Sequence, residues 1–353
     1  MKSLINMKPE LRRLSRLKYI SITRIGKGVI KKRYFGKENL IISTSRTLEQ
    51  FKCIYSNIEF DCKIFIVKRV DEKQLTIVKK FFHKNLKYVI AIGTGRAIDF
   101  AKILCTRESL QLHVIPTALS CNVFATNKSI LYHGNRVITV SSKVPDELYI
   151  DLNVLKIAPT RLNCSGIADV LSISSALFDW RLAETNKIEI INKEIYNIAK
   201  ELLDSFIKIC ITLNITSQKN LKLLAKFLIM SGFLTILYGS GRPESGSEHI
   251  IARIFESDRR FKNIPHGGLV SLGIILAFQL QKQKNLKVQK IINKYHLLGW
   301  INIPTLFKSE IKDVFKKAQK LRPDRYTILN KLILSNQEIK NLEEELDYRG
   351  LLR

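Results

Sequence analysis

The fold is decided by the stretch YVIAIGTGRAIDFAK, residues 88–102, in which a short apolar run meets two glycines and then a helical pattern. The run at residues 88–92 predicts a buried strand of the parallel type, and the glycines mark its junction with a helix. Two similar apolar runs precede it, at residues 40–44 and 64–67, and each is followed by a helix-forming stretch. Short strands that alternate with amphipathic helices predict a parallel sheet with helices on both faces.

The neighbouring stretches extend this prediction in both directions. Residues 19–30 are β-branched and predict a strand pair about the glycines at positions 26 and 28. Residues 112–115 predict a further strand. Residues 129–151 predict a hairpin about His133-Gly134-Asn135, with residues 147–151 returning along it.

The pattern changes at Pro159, beyond which apolar residues recur only at helical spacing. The predicted helices cover residues 165–184, 192–213, 217–237, 246–256, 266–282, 286–298, 306–320 and 336–345. We therefore predict an α/β protein of two domains. A Rossmann-like parallel-sheet domain at residues 1–158 would bind a nucleotide, and an all-helical domain at residues 159–353 would hold metal and substrate.

Composition narrows the class of protein. The formal net charge is +28, from 59 Lys and Arg against 31 Asp and Glu. This charge either attracts an anionic partner or reflects lysines on solvated helix faces. Without a recognisable nucleic-acid module, we expect no specific nucleic-acid partner.

Six cysteines without CxxC pairs predict reduced thiols in a cytoplasm. The longest apolar run, residues 227–238, is shorter than the roughly 20 residues of a membrane span, so we expect no transmembrane segment.

Gly93 and Gly95 stand where the third apolar strand passes into a helix. Glycines at such a junction let the backbone approach a phosphate, and the first free N–H groups of the helix complete an anion site. A tight turn is the alternative, because no third glycine completes the Rossmann G-x-G-x-x-G. Asp99 and Lys102 either face the ligand or form a surface pair. The polar loop PTALSCN, residues 116–122, follows the next strand at the edge where open α/β sheets bind ligands.

Two of the six histidines, His249 and His266, stand beside small residues in the helical half. Residues 245–248 have the S-x-x-E form of a capping box, which predicts a helix with His249 in its first turn. Two neutral imidazoles presented in this way are suited to bind one metal ion. Asp169 is either the N-terminal cap of its own helix or a third ligand, and its spacing alone favours the cap.

Four motifs in the same order resemble the iron-containing alcohol dehydrogenase and dehydroquinate synthase-like superfamily. Residues 93–102 are similar to its G-G-G-x-x-x-D-x-A-K, and residues 116–120 are similar to its P-T-A-x-S. GIADVLS at residues 166–172, followed by DWRLA at residues 179–183, resembles a G-x-G-D-L-I-S and D-W-x-L-A stretch. RPESGSEH at residues 242–249 is close to the R-P-A-S-G-S-E-H of the sn-glycerol-1-phosphate dehydrogenases, the subfamily that the chain resembles most.

The resemblance implies which residues bind which group. The metal ligands, which form the catalytic centre, fall on Asp169, His249 and His266, and the ion would be Zn²⁺, with Fe²⁺ or Ni²⁺ as alternatives. A nicotinamide nucleotide would bind residues of the two loops, namely Gly93, Gly95, Arg96, Ala97, Ile98, Asp99, Thr117, Ala118, Leu119, Ser120 and Thr126. Residues 43–45, at the end of the first apolar strand, include no carboxylate, so we expect NADPH to be accepted as well as NADH.

The implied reaction is reduction of a small phosphorylated ketone, dihydroxyacetone phosphate, to sn-glycerol 1-phosphate. The metal ion would polarise the ketone, and the nicotinamide would deliver a hydride. Asn122 and Arg253 would form the substrate site together with Asp169, but they replace an aspartate and a histidine of the family pattern, and Gly268 replaces a glutamate. All three changes make the site more positive, which favours an anionic ligand.

Two other functions stay open at this stage. The departures in the substrate site are also compatible with reduction of a different ketone or aldehyde. The high positive charge is compatible with a catalytically idle binding protein on the same scaffold, although the intact ligand set argues against it. The resemblance also implies a homo-oligomer, in particular a homodimer.

Overall fold

The computed structural model describes residues 9–134, 136–299, 301, 308–333 and 335–351. The chain divides into two compact units. The first unit consists of Ser15–Asn163 and Asn214–Ile236. The second consists of Cys164–Leu213 and of the described residues of Met1–Leu14 and Leu237–Arg353.

A parallel sheet organises the first unit. The strands of the described chain are β1 (Ile22–Gly26), β2 (Asn39–Ser43), β3 (Lys63–Ile66), β4 (Tyr88–Gly93), β5 (Gln111–Pro116), β6 (Lys128–His133), β7 (Arg136–Ser141) and β8 (Glu147–Asp151). Six of them form one sheet in the order β1-β8-β5-β4-β2-β3, and each neighbouring pair is parallel. Leu40, Ile41 and Ile42 of β2 are fully buried, as expected where both faces of a parallel sheet are covered.

The predicted strands at residues 40–44, 64–67, 88–92 and 112–115 are confirmed as β2, β3, β4 and β5. The hairpin is confirmed as the antiparallel pair β6 and β7, although Asn135 of its turn lies outside the described residues. Residues 147–151 do not return along the hairpin. They form β8, which enters the parallel sheet between β1 and β5.

The strand pair predicted at residues 19–30 is wrong. Only β1 forms there, and it pairs in parallel with β8. Gly28 adopts a φ of 59°, which turns the chain, and the N–H of Val29 donates to the Asp151 carboxylate at 2.9 Å. A side chain far along the sequence therefore takes the hydrogen bond that a local strand partner would have taken.

Helices cover the sheet and form the second unit. They are α1 (Pro9–Arg16), α2 (Ser45–Ile54), α3 (Glu72–Ile77), α4 (Gly95–Arg107), α5 (Leu152–Ile157), α6 (Thr160–Leu171), α7 (Ile173–Thr185), α8 (Lys193–Cys210), α9 (Gln218–Tyr238), α10 (Ser247–Ser257), α11 (His266–Leu280), α12 (Leu286–Lys294), α13 (Lys308–Leu321), α14 (Ile328–Lys331) and α15 (Asn336–Tyr348). The described residues after 159 contain no strand, which confirms the all-helical C-terminal half. The first predicted helix is divided at Ser172 into α6 and α7, and the start of the helix predicted at residues 306–320 lies outside the described residues.

The compact units differ from the predicted domains 1–158 and 159–353 chiefly in α9. This helix follows the predicted boundary, yet nearly all of it belongs to the sheet unit. A Cβ added at Gly232 would lie 2.6 Å from the carbonyl oxygen of Ala125, so the helix backbone approaches the loop after β5 very closely. Sequence periodicity does not reveal which unit such a helix joins, because α9 is apolar around most of its circumference.

The length of α9, 21 residues, and its composition would allow it to cross a bilayer. However, 61% of its most apolar window of 18 residues is buried inside the protein. Burial of this kind is typical of a core helix, and it agrees with the packing of Gly232 against Ala125.

We predict that Gly232→Ala destabilises the first unit by about 1–3 kcal/mol, because the added methyl group has no room beside Ala125 without a shift of the backbone. Chemical denaturation followed by circular dichroism measures this change. Lys222→Ala, which removes an exposed side chain from the same helix, is the matched control and should change stability by less than about 0.5 kcal/mol. Equal stability of Gly232→Ala and the parent chain would contradict the close approach.

Candidate functional site

Three side chains from three helices converge in the second unit. Asp169 lies near the end of α6, His249 lies in the first turn of α10, and His266 is the first residue of α11. Asp169 Oδ1 lies 3.5 Å from His249 Nε2 and 3.7 Å from His266 Nε2. The three donor atoms all lie within 4.8 Å of one another. The two histidines singled out from the sequence and the aspartate therefore form one cluster.

The donor set fits a divalent metal ion. Zinc ligands lie about 2.0–2.2 Å from the ion, so two ligand atoms of a tetrahedral site are about 3.3–3.6 Å apart. The distances from Asp169 Oδ1 to the two imidazoles, 3.5 and 3.7 Å, are close to that separation. One carboxylate and two imidazoles suit Zn²⁺ and also Fe²⁺ or Ni²⁺.

Each imidazole is held from behind by a glutamate. His249 Nδ1 lies 2.8 Å from Glu248 Oε1, and His266 Nδ1 lies 2.5 Å from Glu256 Oε1. Bonds of this kind fix the ring orientation and leave Nε2 of each histidine available to a metal. The sequence reasoning missed both glutamates. The available signal was weak, since Glu248 merely precedes His249 and Glu256 stands two helical turns after it.

Electrostatics within the cluster favours the ionised carboxylate. Burial alone would raise the pKa of Asp169, but hydrogen bonds and positive charge from His249 and His266 outweigh it and hold that pKa well below its usual range. Burial would also lower the pKa of His266. The charge of Glu256 and the bonds to both carboxylates overcome that effect and raise the His266 pKa to about 10. Negative charge is thus concentrated around both rings, which makes them strong donors to a cation.

Two serines fix the backbone around Asp169. Ser165 Oγ accepts the N–H of Gly267 at 2.6 Å, which ties α6 to the start of α11. Ser172 Oγ donates to the Asp169 carbonyl at 2.7 Å. Because α6 begins at Thr160, Asp169 lies in the body of the helix, and the alternative that it caps the N-terminus is wrong.

The capping box predicted at residues 245–248 is also wrong. Helix α10 begins at Ser247, its N-cap residue is Gly246, and among the described residues no side chain of this segment caps it in the predicted way. The Ser247 N–H donates instead to Asp179 of α7 at 2.6 Å. His249 nevertheless lies in the first turn, as predicted.

The glycine-rich loop lies in the first unit, where β4 passes into α4. Thr94 is the N-cap residue, but within the described chain its side chain makes no capping hydrogen bond. The first N–H groups of α4 are therefore available to an anion. Apart from its chain neighbours and the backbone of its own helix, no described residue has an atom within 4 Å of the position of a Cβ on Gly95. The backbone there is therefore open to a ligand, and Arg96 is exposed beside it.

The loop after β5 lies next to the glycine-rich loop, because β5 and β4 are neighbours in the sheet. The Thr117 N–H donates to the Gly93 carbonyl at 3.0 Å, and Thr117 and Ser120 are partly exposed. The other predicted nucleotide-binding residues are buried: Ala97, Ile98, Asp99, Ala118, Leu119 and Thr126. The structure thus brings the two predicted nucleotide loops together at one edge of the sheet.

Lys102 has a different role from both of the predicted ones. It is fully buried, and its Nζ donates to the carbonyls of Val123 and Lys128 at 3.0 and 2.6 Å and to Thr126 Oγ1 at 3.2 Å. Burial lowers the pKa of Lys102 to about 8, against the nearby charge of Asp99. Lys102 therefore ties α4 to the loop beyond β5 and is neither a ligand-facing residue nor a surface residue.

The predicted substrate residues outside the metal cluster lie in separate units. Asn122, in the first unit, is partly exposed, and its Nδ2 donates to Ser231 Oγ of α9 at 3.1 Å. Arg253, in the second unit, is partly exposed on α10 and lies one helical turn after His249, so the two residues share a face of the helix. Burial raises the pKa of Glu256, but His266 and, less strongly, Arg253 outweigh it and lower that pKa.

Known proteins share both the sequence pattern and the fold. The model of the iron-containing alcohol dehydrogenase family matches residues 38–159. The glycerol-1-phosphate dehydrogenase [NAD(P)+] of Pyrobaculum aerophilum is 33% identical over 251 residues, which cover 68% of this chain and 72% of that protein. The enzyme of the same name from Archaeoglobus fulgidus is 25% identical over 314 residues, 88% of this chain and 87% of that protein. A probable glycerol dehydrogenase from Sinorhizobium meliloti 1021 has a similar fold, with a TM-score of 0.72 and 16% identity over 94% of this chain and 97% of that chain.

We predict that His266→Ala abolishes tight metal binding, because it removes one of three donors. After loading with Zn²⁺ and dialysis, the variant should retain less than about one-tenth of the metal of the parent chain. The stabilisation by metal, about 2.7 kcal/mol at 100 times the dissociation constant, should also be lost. Elemental analysis and thermal unfolding with and without Zn²⁺ measure the two effects.

His133→Ala is the control for this experiment, because it removes an exposed histidine at the end of the hairpin. It should keep the metal content and the metal-dependent stabilisation of the parent chain. A His266→Ala variant that is as rich in metal as the parent chain would refute the ligand assignment.

Proposed function

The chain belongs to the glycerol-1-phosphate dehydrogenase family, and from this premise we propose that it reduces dihydroxyacetone phosphate to sn-glycerol 1-phosphate with NAD(P)H and a bound metal ion. Family membership makes it an NAD(P)-linked oxidoreductase of the alcohol dehydrogenase type. The observation that carries the proposal is the convergence of Asp169, His249 and His266, whose donor atoms lie within 4.8 Å of one another.

The second unit would supply the metal centre. Asp169, His249 and His266 would hold Zn²⁺, which when bound acts as a Lewis acid on the carbonyl oxygen of the substrate. Glu248 and Glu256 keep the two imidazoles oriented toward Asp169. Fe²⁺ and Ni²⁺ fit the same donors, so the activity should be measured with each of these three ions.

The first unit would supply the nucleotide site, and the bound nicotinamide cofactor supplies the hydride. The free N–H groups of α4 and the open backbone at Gly95 suit a pyrophosphate, and the exposed Arg96 adds positive charge. Thr117 and Ser120 are partly exposed at the same edge of the sheet, where they would line the nicotinamide side.

Both forms of the cofactor should bind. The end of β2 and the start of α2 carry Ser43, Thr44 and Ser45, and the first turn of α2 contains no acidic residue. A carboxylate at this position selects NAD by bonding to the ribose 2′-hydroxyl and would repel a 2′-phosphate. Without one, NADPH meets no unfavourable charge there.

The charge beside the metal cluster supports an anionic substrate. Arg253 is partly exposed on the face of α10 that carries His249, and a guanidinium is well suited to bind a phosphate through two parallel hydrogen bonds. Gly268, in the first turn of α11, carries no negative charge that would oppose it. We therefore assign to Arg253 the binding of the substrate phosphate.

We predict that metal-loaded protein oxidises NADPH and NADH when dihydroxyacetone phosphate is added, and that the product is the sn-1 enantiomer of glycerol phosphate. Dihydroxyacetone, which lacks the phosphate, should be reduced with a kcat/KM lower by about 100-fold or more, because the charged group that the site binds is missing. Cofactor absorbance and a stereospecific assay of the product measure these outcomes.

Arg253→Ala separates phosphate binding from the rest of the site. It should raise KM for dihydroxyacetone phosphate at least about tenfold and leave kcat/KM for dihydroxyacetone nearly unchanged. Arg181→Ala, a change at an exposed arginine of α7, is the matched control. Equal use of both ketones by the parent chain would refute the anionic substrate, and a preference for another ketone or aldehyde would replace it. The predicted homodimer and cytoplasmic location stay predictions.

A further inference from the structure

Asp179 is a buried carboxylate that takes no part in the metal cluster. It lies on α7 and is 0% exposed. Its Oδ2 accepts the N–H of Ser247 at 2.6 Å, and its Oδ1 accepts the N–H of Ile328 at 2.8 Å and the side-chain amide of Gln281 at 3.1 Å. A buried charge is costly unless hydrogen bonds compensate it, so these donors hold the carboxylate in one position.

Two of the three donors are the first N–H groups of helices. Ser247 begins α10, and Ile328 begins α14. The positive end of the α10 dipole points at the carboxylate and stabilises the charge, and the single-turn helix α14 contributes its first N–H as a donor. Asp179 forms no ion pair with a lysine or arginine side chain in the part of the chain that the structure describes. The hydrogen bonds therefore supply most of its compensation, and they do so incompletely, because burial and the charge of Glu248 raise the pKa of Asp179 to about 6.

The chain at Gly246 is pressed against Asp179. A Cβ at this position would lie 2.5 Å from Asp179 Oδ2 and 3.1 Å from Glu248 Oε2, so only glycine fits between the two carboxylates. The N–H of Gly246 donates to Glu248 Oε1 at 2.6 Å. The same oxygen lies 2.8 Å from His249 Nδ1.

A path of short hydrogen bonds, joined by the backbone between Gly246 and Ser247, thus runs from α7 to the metal ligand His249. Asp179 accepts the N–H of Ser247, the first residue of α10. Glu248 accepts the N–H of Gly246, the residue before the helix, and also bonds to the ring of His249. We propose that Asp179 is a positioning residue of the metal centre, which fixes the first turn of α10 and, through Glu248, the orientation of His249. This inference rests on the metal centre of the proposed function, but it does not depend on the identity of the substrate.

Precise placement of His249 has a measurable effect on metal binding. Loss of a partner that orients a metal ligand typically costs 10–100-fold in metal affinity. A purely structural residue, in contrast, lowers the stability of the protein and leaves the affinity of the folded molecules unchanged. Metal affinity and the visible spectrum of bound Co²⁺ therefore distinguish positioning from general support.

The test is Asp179→Asn, measured by competition of the metal-loaded protein with a chelator and by the absorption of the Co²⁺-loaded form. The amide keeps the size of the side chain but presents an NH2 group in place of one of the two oxygens through which Asp179 accepts hydrogen bonds. We expect the affinity for Zn²⁺ and Co²⁺ to fall about 10–100-fold and the Co²⁺ absorption to change in intensity or position. Gln281→Met is a milder variant, because it removes one hydrogen-bond donor and keeps the carboxylate of Asp179. It should also lower the metal affinity, but less than Asp179→Asn does.

Tyr295→Phe is the matched control, because it removes a buried hydroxyl of the same unit, whose one proton is shared between the carbonyls of Cys210 and Leu213 at 3.0 and 2.8 Å. It should lower thermal stability and leave the metal affinity and the Co²⁺ spectrum of the parent chain. Parent-like affinity and spectrum in Asp179→Asn would overturn the proposal, and so would equal losses in Tyr295→Phe.

Failure of the proposed function gives a different result. If the parent chain binds metal but does not reduce dihydroxyacetone phosphate, the substrate assignment is wrong, and the affinity ratio between parent and Asp179→Asn still decides the role of Asp179. If the parent chain binds no metal, the metal centre and the role proposed for Asp179 are both refuted.

Discussion

The second unit is built around one carboxylate oxygen that lies between two imidazoles. Asp169 is almost completely buried, and a buried negative charge is unfavourable unless other groups compensate it. Glu248 and Glu256 add two more carboxylates behind the rings. The cluster therefore has three acidic groups around two histidines, and a divalent cation offsets negative charge that the side chains alone leave in excess. A cation at this cluster would therefore stabilise the meeting of α6, α10 and α11 at these side chains.

The candidate sites in the two units carry opposite charge. In the second unit, acidic side chains create a place for a cation. In the first unit, the start of α4 presents uncompensated N–H groups and the exposed Arg96, which suit an anion. A metal ion and a nucleotide are thus each matched by local charge, and the large positive charge of the whole chain is not needed to explain either site.

Local patterns predicted most of the elements because each depends on its own residues. The apolar runs of β2 to β5 and the periodic helices after residue 159 carry their signal within a few positions. The failures have a common cause, since each involves a partner far along the chain. Asp151 captures the N–H of Val29, Asp179 caps α10 in place of Ser245, and Lys102 is buried against the carbonyls of a later loop.

The metal ligands, too, could be predicted only in part from local sequence. His249 and His266 were recognisable from their small neighbours, but the spacing of Asp169 favoured a helix cap, and only the family resemblance assigned it to the metal. Its true setting depends on where α6 begins, nine positions earlier at Thr160, and on contacts to α11 that no local pattern encodes. Glu256 is harder still to identify from the sequence, because acidic residues on helix surfaces are common. Only its contact with His266 in the folded chain distinguishes it.

The membership of α9 in the sheet unit has a consequence for biosynthesis. Residues 15–163 leave the ribosome well before residues 214–236, which the same unit also requires and which are made about fifty positions later. Until then, the surface around Ala125 on which Gly232 packs stays uncovered, and the helices of residues 164–213 emerge before α9 can complete the first unit. The first unit therefore cannot fold completely before part of the second unit has been synthesised. Until α9 emerges, the first unit exposes apolar surface that is prone to aggregation.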